Sequence, residues 1–173
     1  MQRAQVRAVD NLGSASSPPD GSSQEPIVGG GALLVPQSPA DLEHYFDLRW
    51  RVLRAPWNQP RGSERDDRED ESIHLMIRSD AGDTLAVGRL HLNTPTEAQV
   101  RFMAVAPHAQ NRGLGSILLR ELENRARTAG AKQLVLNARA TAQHFYERHG
   151  YHVEAPADRL FAAVEHWRMR KDL

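Results

Sequence analysis

The chain contains no cysteine among its 173 residues, and that absence removes Cys-ligated zinc, iron–sulfur clusters, thiol nucleophiles and disulfide staples together. A domain of this length manages without staples, because it buries roughly 70% of the surface its unfolded form exposes. Net charge is lacking too, with 22 Lys+Arg against 22 Asp+Glu. Neutrality argues against a generic grip on nucleic acid, whose phosphate lattice rewards a basic face. No apolar run approaches the ~20 residues that span a bilayer, and the basic start Met1-Gln2-Arg3 lacks the apolar stretch of a secretory signal. The expectation is one soluble, cytoplasmic domain with neither membrane nor nucleic acid as partner. The 8 histidines show no His-x-x-x-His spacing and join no compact carboxylate cluster, so no metal is expected.

Gly13 to Gly31 reads GSASSPPDGSSQEPIVGGG, which offers almost nothing to bury against its ordering entropy. Residues 1–31 are therefore expected to be a flexible leader to a domain spanning 32–173. That domain opens with a short apolar strand, Ala32 to Val35. Ser38 can cap a helix with Pro39 at its first position, and Leu42, Tyr45, Phe46, Val52 and Leu53 follow at helical spacing until Pro56. The period then turns to alternation in Ile73, Leu75 and Ile77, in Thr84 to Leu92, and in Ala98 to Ala106, with short turns joining antiparallel neighbours. A helical face returns between Gly113 and Gly130, with Leu114, Ile117, Leu118, Leu122 and Ala126 inward and Glu121, Glu123, Arg125 and Arg127 mostly outward. Leu134-Val135-Leu136 suits a buried strand, reached by a crossover and hence parallel to the one ending at Ala106. A short helix over Ala140 to His149 and strands near Tyr151 to Val153 and Ala163 to Met169 complete an α/β fold, a mixed and mostly antiparallel sheet with flanking helices.

Between the third alternating strand and the following helix lies Val105-Ala-Pro-His-Ala-Gln110-Asn111-Arg112-Gly113-Leu114-Gly115-Ser116. Its glycines let the backbone approach a ligand, free N–H groups at the helix start favour an anion, and Arg112 adds a charge. A Walker loop needs Gly-Lys-Ser/Thr, which is missing. A dinucleotide fingerprint needs a small residue where Leu118 stands and an acidic one where Asn137 stands. What remains is Gln-x-x-Gly-x-Gly, from Gln110 to Gly115. It resembles the acyl-CoA pyrophosphate loop of the GNAT superfamily of N-acetyltransferases. A second signature of that family, Ala…Phe-Tyr-x-x-x-Gly-Phe/Tyr, is matched by Ala142-Gln143-His144-Phe145-Tyr146-Glu147-Arg148-His149-Gly150-Tyr151. More loosely, Arg49-x-x-Val52-Leu53-Arg54 and Asp70 to Leu75 look like the ElaA-like branch.

The resemblance implies the acyl-CoA N-acyltransferase (GNAT) fold, in which the strands bearing Val105 and Leu136 splay apart to admit acetyl-CoA as cosubstrate. Backbone groups of Met103 and Val105, with Ala104 between them, would pair with the pantetheine arm. Gln110, Asn111, Arg112, Gly113, Leu114, Gly115 and Ser116 would hold the pyrophosphate. Asn137 resembles the residue that contacts the pantetheine amides, or makes a local turn bond. Direct transfer to a primary amine is implied, the acceptor being a small cationic amine or a protein amine, and a homodimer is compatible with it. Tyr146 falls at the general-acid position, with packing on Phe145 as the alternative. Where a glutamate base is often found stands Gln99, which cannot take a proton. Glu97 on the same strand and His91 on its neighbour are the candidates left, acting directly or through water. Gln99 also keeps open a non-catalytic acyl-CoA-binding or regulatory module. The segment from Arg61 to Ser72 carries Glu64, Asp66, Asp67, Glu69, Asp70 and Glu71. It reads either as a solvated face or as an acidic lip that favours a cationic acceptor. His74, out of phase with Ile73 and Leu75, faces the acceptor cleft or a helix.

Overall fold

The computed structural model describes residues 25–26 and 31–173; residues 1–24 and 27–30 of the expected leader lie outside it. Ser38 caps the first helix, α1 (Pro39–Leu53), reciprocally: its hydroxyl accepts the Asp41 N–H at 3.0 Å while the Asp41 carboxylate accepts the Ser38 N–H at 3.3 Å. Two orphan donors of the first turn are thereby satisfied. The second helix, α2 (Leu114–Thr128), buries Leu114, Leu118, Leu119, Leu122 and Ala126. The expected third helix is broken by a 3₁₀ turn at Ala140–Ala142 and reduces to α3 (Gln143–Glu147).

Among the described residues the strands are β1 (Glu25–Pro26), β2 (Ala32–Leu34), β3 (Ile73–Arg78), β4 (Thr84–Thr94), β5 (Glu97–Val105), β6 (Gln133–Arg139), β7 (His152–Leu160) and β8 (Val164–Asp172). They form one eight-stranded sheet in the order β1-β2-β3-β4-β5-β6-β8-β7. Only β5 and β6, joined through α2, run parallel. The last two strands are longer than expected. β7 lies at the sheet edge and is exposed along most of its length, so it carries no alternation for a sequence reading to find.

The helices take opposite faces. A Cβ at Gly88 of β4 would sit 2.9 Å from Leu122 of α2, so the missing side chain is what lets α2 seat against the sheet. On the other face Tyr45 and Phe46 of α1 pack edge-on against His74, with ring centroids 5.2 and 6.3 Å away; of the two options for His74, the helix is the one realised. Paired residues in neighbouring strands share a face. His74 pairs with Arg89, Arg89 with Arg101, His91 with Gln99, Gln99 with Val135, and Arg139 with His166. All of these therefore lie on the α1 side.

Two charged residues on the helices break the expected pattern of burial. Glu123, expected outward, is buried because it accepts the Tyr151 hydroxyl at 3.1 Å and both its oxygens lie 2.9 Å from Lys171 Nζ. Arg49, on the inner face of α1, is fully buried, with its guanidinium 3.8 Å from the Phe102 ring centroid.

Candidate active site

β5 and β6 pair from Glu97↔Gln133 to Val100↔Leu136 and no further. Beyond that point β5 continues to Val105 and β6 to Arg139, and the two strands enclose a wedge. The cause lies in β5. Arg89 faces Arg101 but Val87 faces Ala104, so Gly88 opposes both Phe102 and Met103, and Phe102 takes φ +53°. Such a bulge leaves one residue out of the ladder and bends the strand. The wedge opens into a cleft of about 920 Å³, within the usual size range for small-molecule sites.

On the α2 side the cleft meets the glycine loop. Gly113 is the N-cap of α2, has φ +79° and provides no side-chain cap, so the first-turn N–H groups keep their positive dipole end unspent. A Cβ on Gly113 would meet nothing within 4 Å; the space beside it is open to a ligand. Met103, Ala104, Val105, Gln110, Asn111, Gly113, Leu114, Gly115, Ser116 and Asn137 all line the cleft, whereas Arg112 is exposed outside its lining. The loop is tied to α3: Ser116 Oγ lies 2.9 Å from His149 Nε2, and His149 Nδ1 lies 2.7 Å from the Phe145 carbonyl.

Tyr146 lines the cleft and is nearly buried, its hydroxyl 3.7 Å from Met103 Sδ. Burial pushes its phenol up to about 12, so it stays protonated throughout the neutral range. The expected bases are placed otherwise. Glu97 sits at the far, hydrogen-bonded end of the β5–β6 pair, where its oxygens accept from Asn93 and Gln133 at 2.8 and 2.7 Å. His91 is buried with Nε2 3.1 Å from Asn93 Oδ1. Neither lines the cleft, although Gln99 does. The wall instead contains His166, which the sequence reading missed. It is buried, and Nδ1 lies 2.9 Å from the Val164 carbonyl, which sets Nδ1 as the donor and leaves the Nε2 lone pair free. Burial, with the Arg139 and Arg54 charges, lowers its pKa from the usual 6.5.

Three acids of the segment 61–72, Glu64, Asp66 and Glu69, turn inward. Glu69 accepts from Arg49 at 2.8 and 2.9 Å and from Arg89 at 2.8 Å. Asp66 accepts from Arg89 at 2.9 Å and from Arg101 at 3.3 Å. Glu64 is buried and accepts the Gly62 N–H at 2.7 Å. Asp66 and Glu69 thus offset arginines, two of which, Arg49 and Arg89, are fully buried, while Asp67, Asp70 and Glu71 stay exposed.

Residues 42–151 match the family model described as the Acetyltransferase (GNAT) family. The chain belongs to that family. The uncharacterized N-acetyltransferase YjcF of Bacillus subtilis is 30% identical over 139 residues, spanning 80% of this chain and 98% of the relative. A Lactobacillus plantarum structure, solved as a candidate N-acetyltransferase, superposes with a TM-score of 0.73 at 22% identity, covering 83% of this chain and 99% of that one. Escherichia coli ElaA superposes with a TM-score of 0.66 at 18% identity, covering 81% and 97%. At these identities the two structures speak for the fold alone.

As a GNAT enzyme the protein is an N-acetyltransferase, and acetyl-CoA is the cosubstrate of this fold. The chain's own residues fit such a donor, with an uncapped helix start for a phosphate and an unpaired strand edge for an extended amide arm. Among the described residues no group of His, Asp and Glu stands together as a metal site, and no helix is long and apolar enough to cross a membrane.

Proposed function

We propose that the protein transfers an acetyl group from acetyl-CoA directly to a primary amine bound on the α1 side of the cleft. The observation that carries this is the unpaired β5–β6 wedge facing the uncapped start of α2. Leu114, Gly115 and Ser116 offer their N–H groups to the pyrophosphate. Met103 and Val105 present backbone groups, and Asn137 an amide, to the pantetheine arm. The donor supplies a thioester carbonyl, and an N–H released by the bulge at Phe102 and Met103 polarises it. Tyr146 donates a hydrogen bond to the departing sulfur. His166, directly or through one water, takes the proton that the amine must lose, and it suits that task because its imidazole is neutral near pH 7.

Isothermal titration should show acetyl-CoA binding to the full chain, and a thiol-release assay over a panel of amines should show turnover. Absence of donor binding overturns the reading. Binding with no thiol release on any amine supports the acyl-CoA-binding module that Gln99 leaves open.

A further inference from the structure

We infer that the acceptor is a small amine that also carries an oxyanion, a carboxylate or a phosphate, held between Arg54 and Arg139. This rests on the acetyltransferase reading above and names the substrate class left open there. The α1 side of the cleft is lined by Arg54, Arg101 and Arg139, and Asp158 is the sole carboxylate in the lining. Arg148, the remaining cation of the lining, lies at the end of α3 beside the loop-bound His149, where the donor's phosphates are expected.

The arginines on this side of the sheet divide into two kinds. Arg49, Arg89 and Arg101 are matched to Asp66 and Glu69. Arg54 and Arg139 form no ion pair among the described residues. Arg54 donates only to carbonyls, to Ser63 at 2.8 Å and to Leu53 at 3.1 Å, and Arg139 donates to that same Leu53 oxygen at 3.3 Å. Two guanidinium forks thus converge on one carbonyl at the end of α1, with N–H groups to spare. Both are half-buried, so water compensates their charges only in part. Burial disfavours the charge on each, and the neighbouring Arg49, Arg139 and Arg101 add to that for Arg54. A planar, two-oxygen anion suits paired forks of this kind. A further donor has no partner at all: Trp57 Nε1 is buried with no acceptor among the described residues, and Arg139 lies 6.0 Å from the Trp57 ring.

Geometry restricts the size of the acceptor. Trp57, just after α1, stacks on Phe161 at the β7–β8 turn, with centroids 6.4 Å apart and planes at 23°. Arg54 lies 5.4 Å from the Phe161 ring, and the adjoining Leu160 lines the cleft. Phe161 and Ala162 have φ +55° and +57°, a conformation that bulky side chains adopt only under strain. The strained turn holds an aromatic bridge beside the two free arginines, which suits a compact acceptor better than a lysine on a folded protein surface. Asp158 can take the ammonium form of the same molecule.

The test uses the full chain, acetyl-CoA and matched amines: phosphoethanolamine against ethanolamine, and tyrosine against tyramine. The anionic member of at least one pair should have a kcat/KM tenfold or more higher, and the pair that responds tells phosphate from carboxylate. Arg139→Gln and Arg54→Gln should each raise KM for that acceptor about tenfold without changing KM for acetyl-CoA, Arg139→Lys should retain most of the preference, and Arg139→Glu should reverse it. Equal or better use of the amines that lack the oxyanion, or a lysine peptide as the best acceptor, overturns the inference. A binding measurement decides without turnover: N-acetylglycine, but not N-acetylglycinamide, should bind the CoA-saturated chain, and Arg139→Gln should abolish that difference. Failure of the donor to bind counts against the acetyltransferase reading; donor binding with no response to the anion sinks this inference alone.

Discussion

Tyr146 and His166 illustrate how burial sets what a side chain can do chemically. A phenol raised to about 12 sits well above a thiol, whose ordinary pKa is about 8.5, so in the proposed mechanism Tyr146 holds its proton and stabilises the leaving sulfur by donating to it. Tyr146→Phe should lower kcat about 100-fold and leave KM for acetyl-CoA unchanged in steady-state assays. His166 is shifted the other way, below 6.5, and as the proposed base it works only when deprotonated. The kcat/KM profile should therefore rise with pH through a limb that titrates below 6.5, apart from the limb set by the acceptor amine at higher pH. In His166→Gln that lower limb should vanish, with kcat about 100-fold down. Tyr146 was legible in the sequence because its neighbours Phe145 and Gly150 are fixed by a local pattern. His166 was not, because a lone histidine on a half-polar strand gives no sign of the cleft that strand will border.

The segment 61–72 behaves as a structural element although it is neither helix nor strand. Burial alone would raise the Asp66 carboxyl, but hydrogen bonds from the Arg89 guanidinium and the Arg68 N–H outweigh it and hold the group at about 2, against the usual 3.8. A carboxyl held low in the folded state adds stability that is complete above pH 3.8 and is lost as pH falls through 2. The contribution is about 2 kcal/mol. Urea midpoints should therefore drop between pH 4 and pH 2, and Asp66→Asn should flatten that drop. The sequence displayed these acids as a charge run, and a run alone does not reveal its partners. Arg49 sits on the inner face of α1, and Arg89 interrupts an apolar strand; both pair with carboxylates from a loop that is distant along the chain.

At the scale of the molecule, the crossover from β5 through α2 to β6 was legible because the change of period and the glycine junction are both local. The acceptor wall was not: Arg54, Arg101, Arg139, Asp158 and His166 come from five separate segments that only the strand order brings together. That order also governs the kinetics. In the proposed function the donor meets the cleft at the α2 side of the sheet and the acceptor at the α1 side, and no protein nucleophile intervenes. Initial-rate plots with both substrates varied should give intersecting lines, and parallel lines would require an acetylated enzyme for which the cleft offers no thiol.

The Trp57–Phe161 bridge also makes the acceptor mouth optically visible. The chain has 3 tryptophans, none of which lines the cleft, but Trp57 stacks on Phe161 and has its ring 6.0 Å from Arg139, which does line it. With both replaced by phenylalanine, the emission of Trp57 becomes a private gauge of its surroundings, sensitive to a charge arriving near Arg139 and to any parting of the stacked rings. Titrating acceptor against that signal, with and without CoA, would report in a cuvette whether the mouth closes before or after the donor is in place.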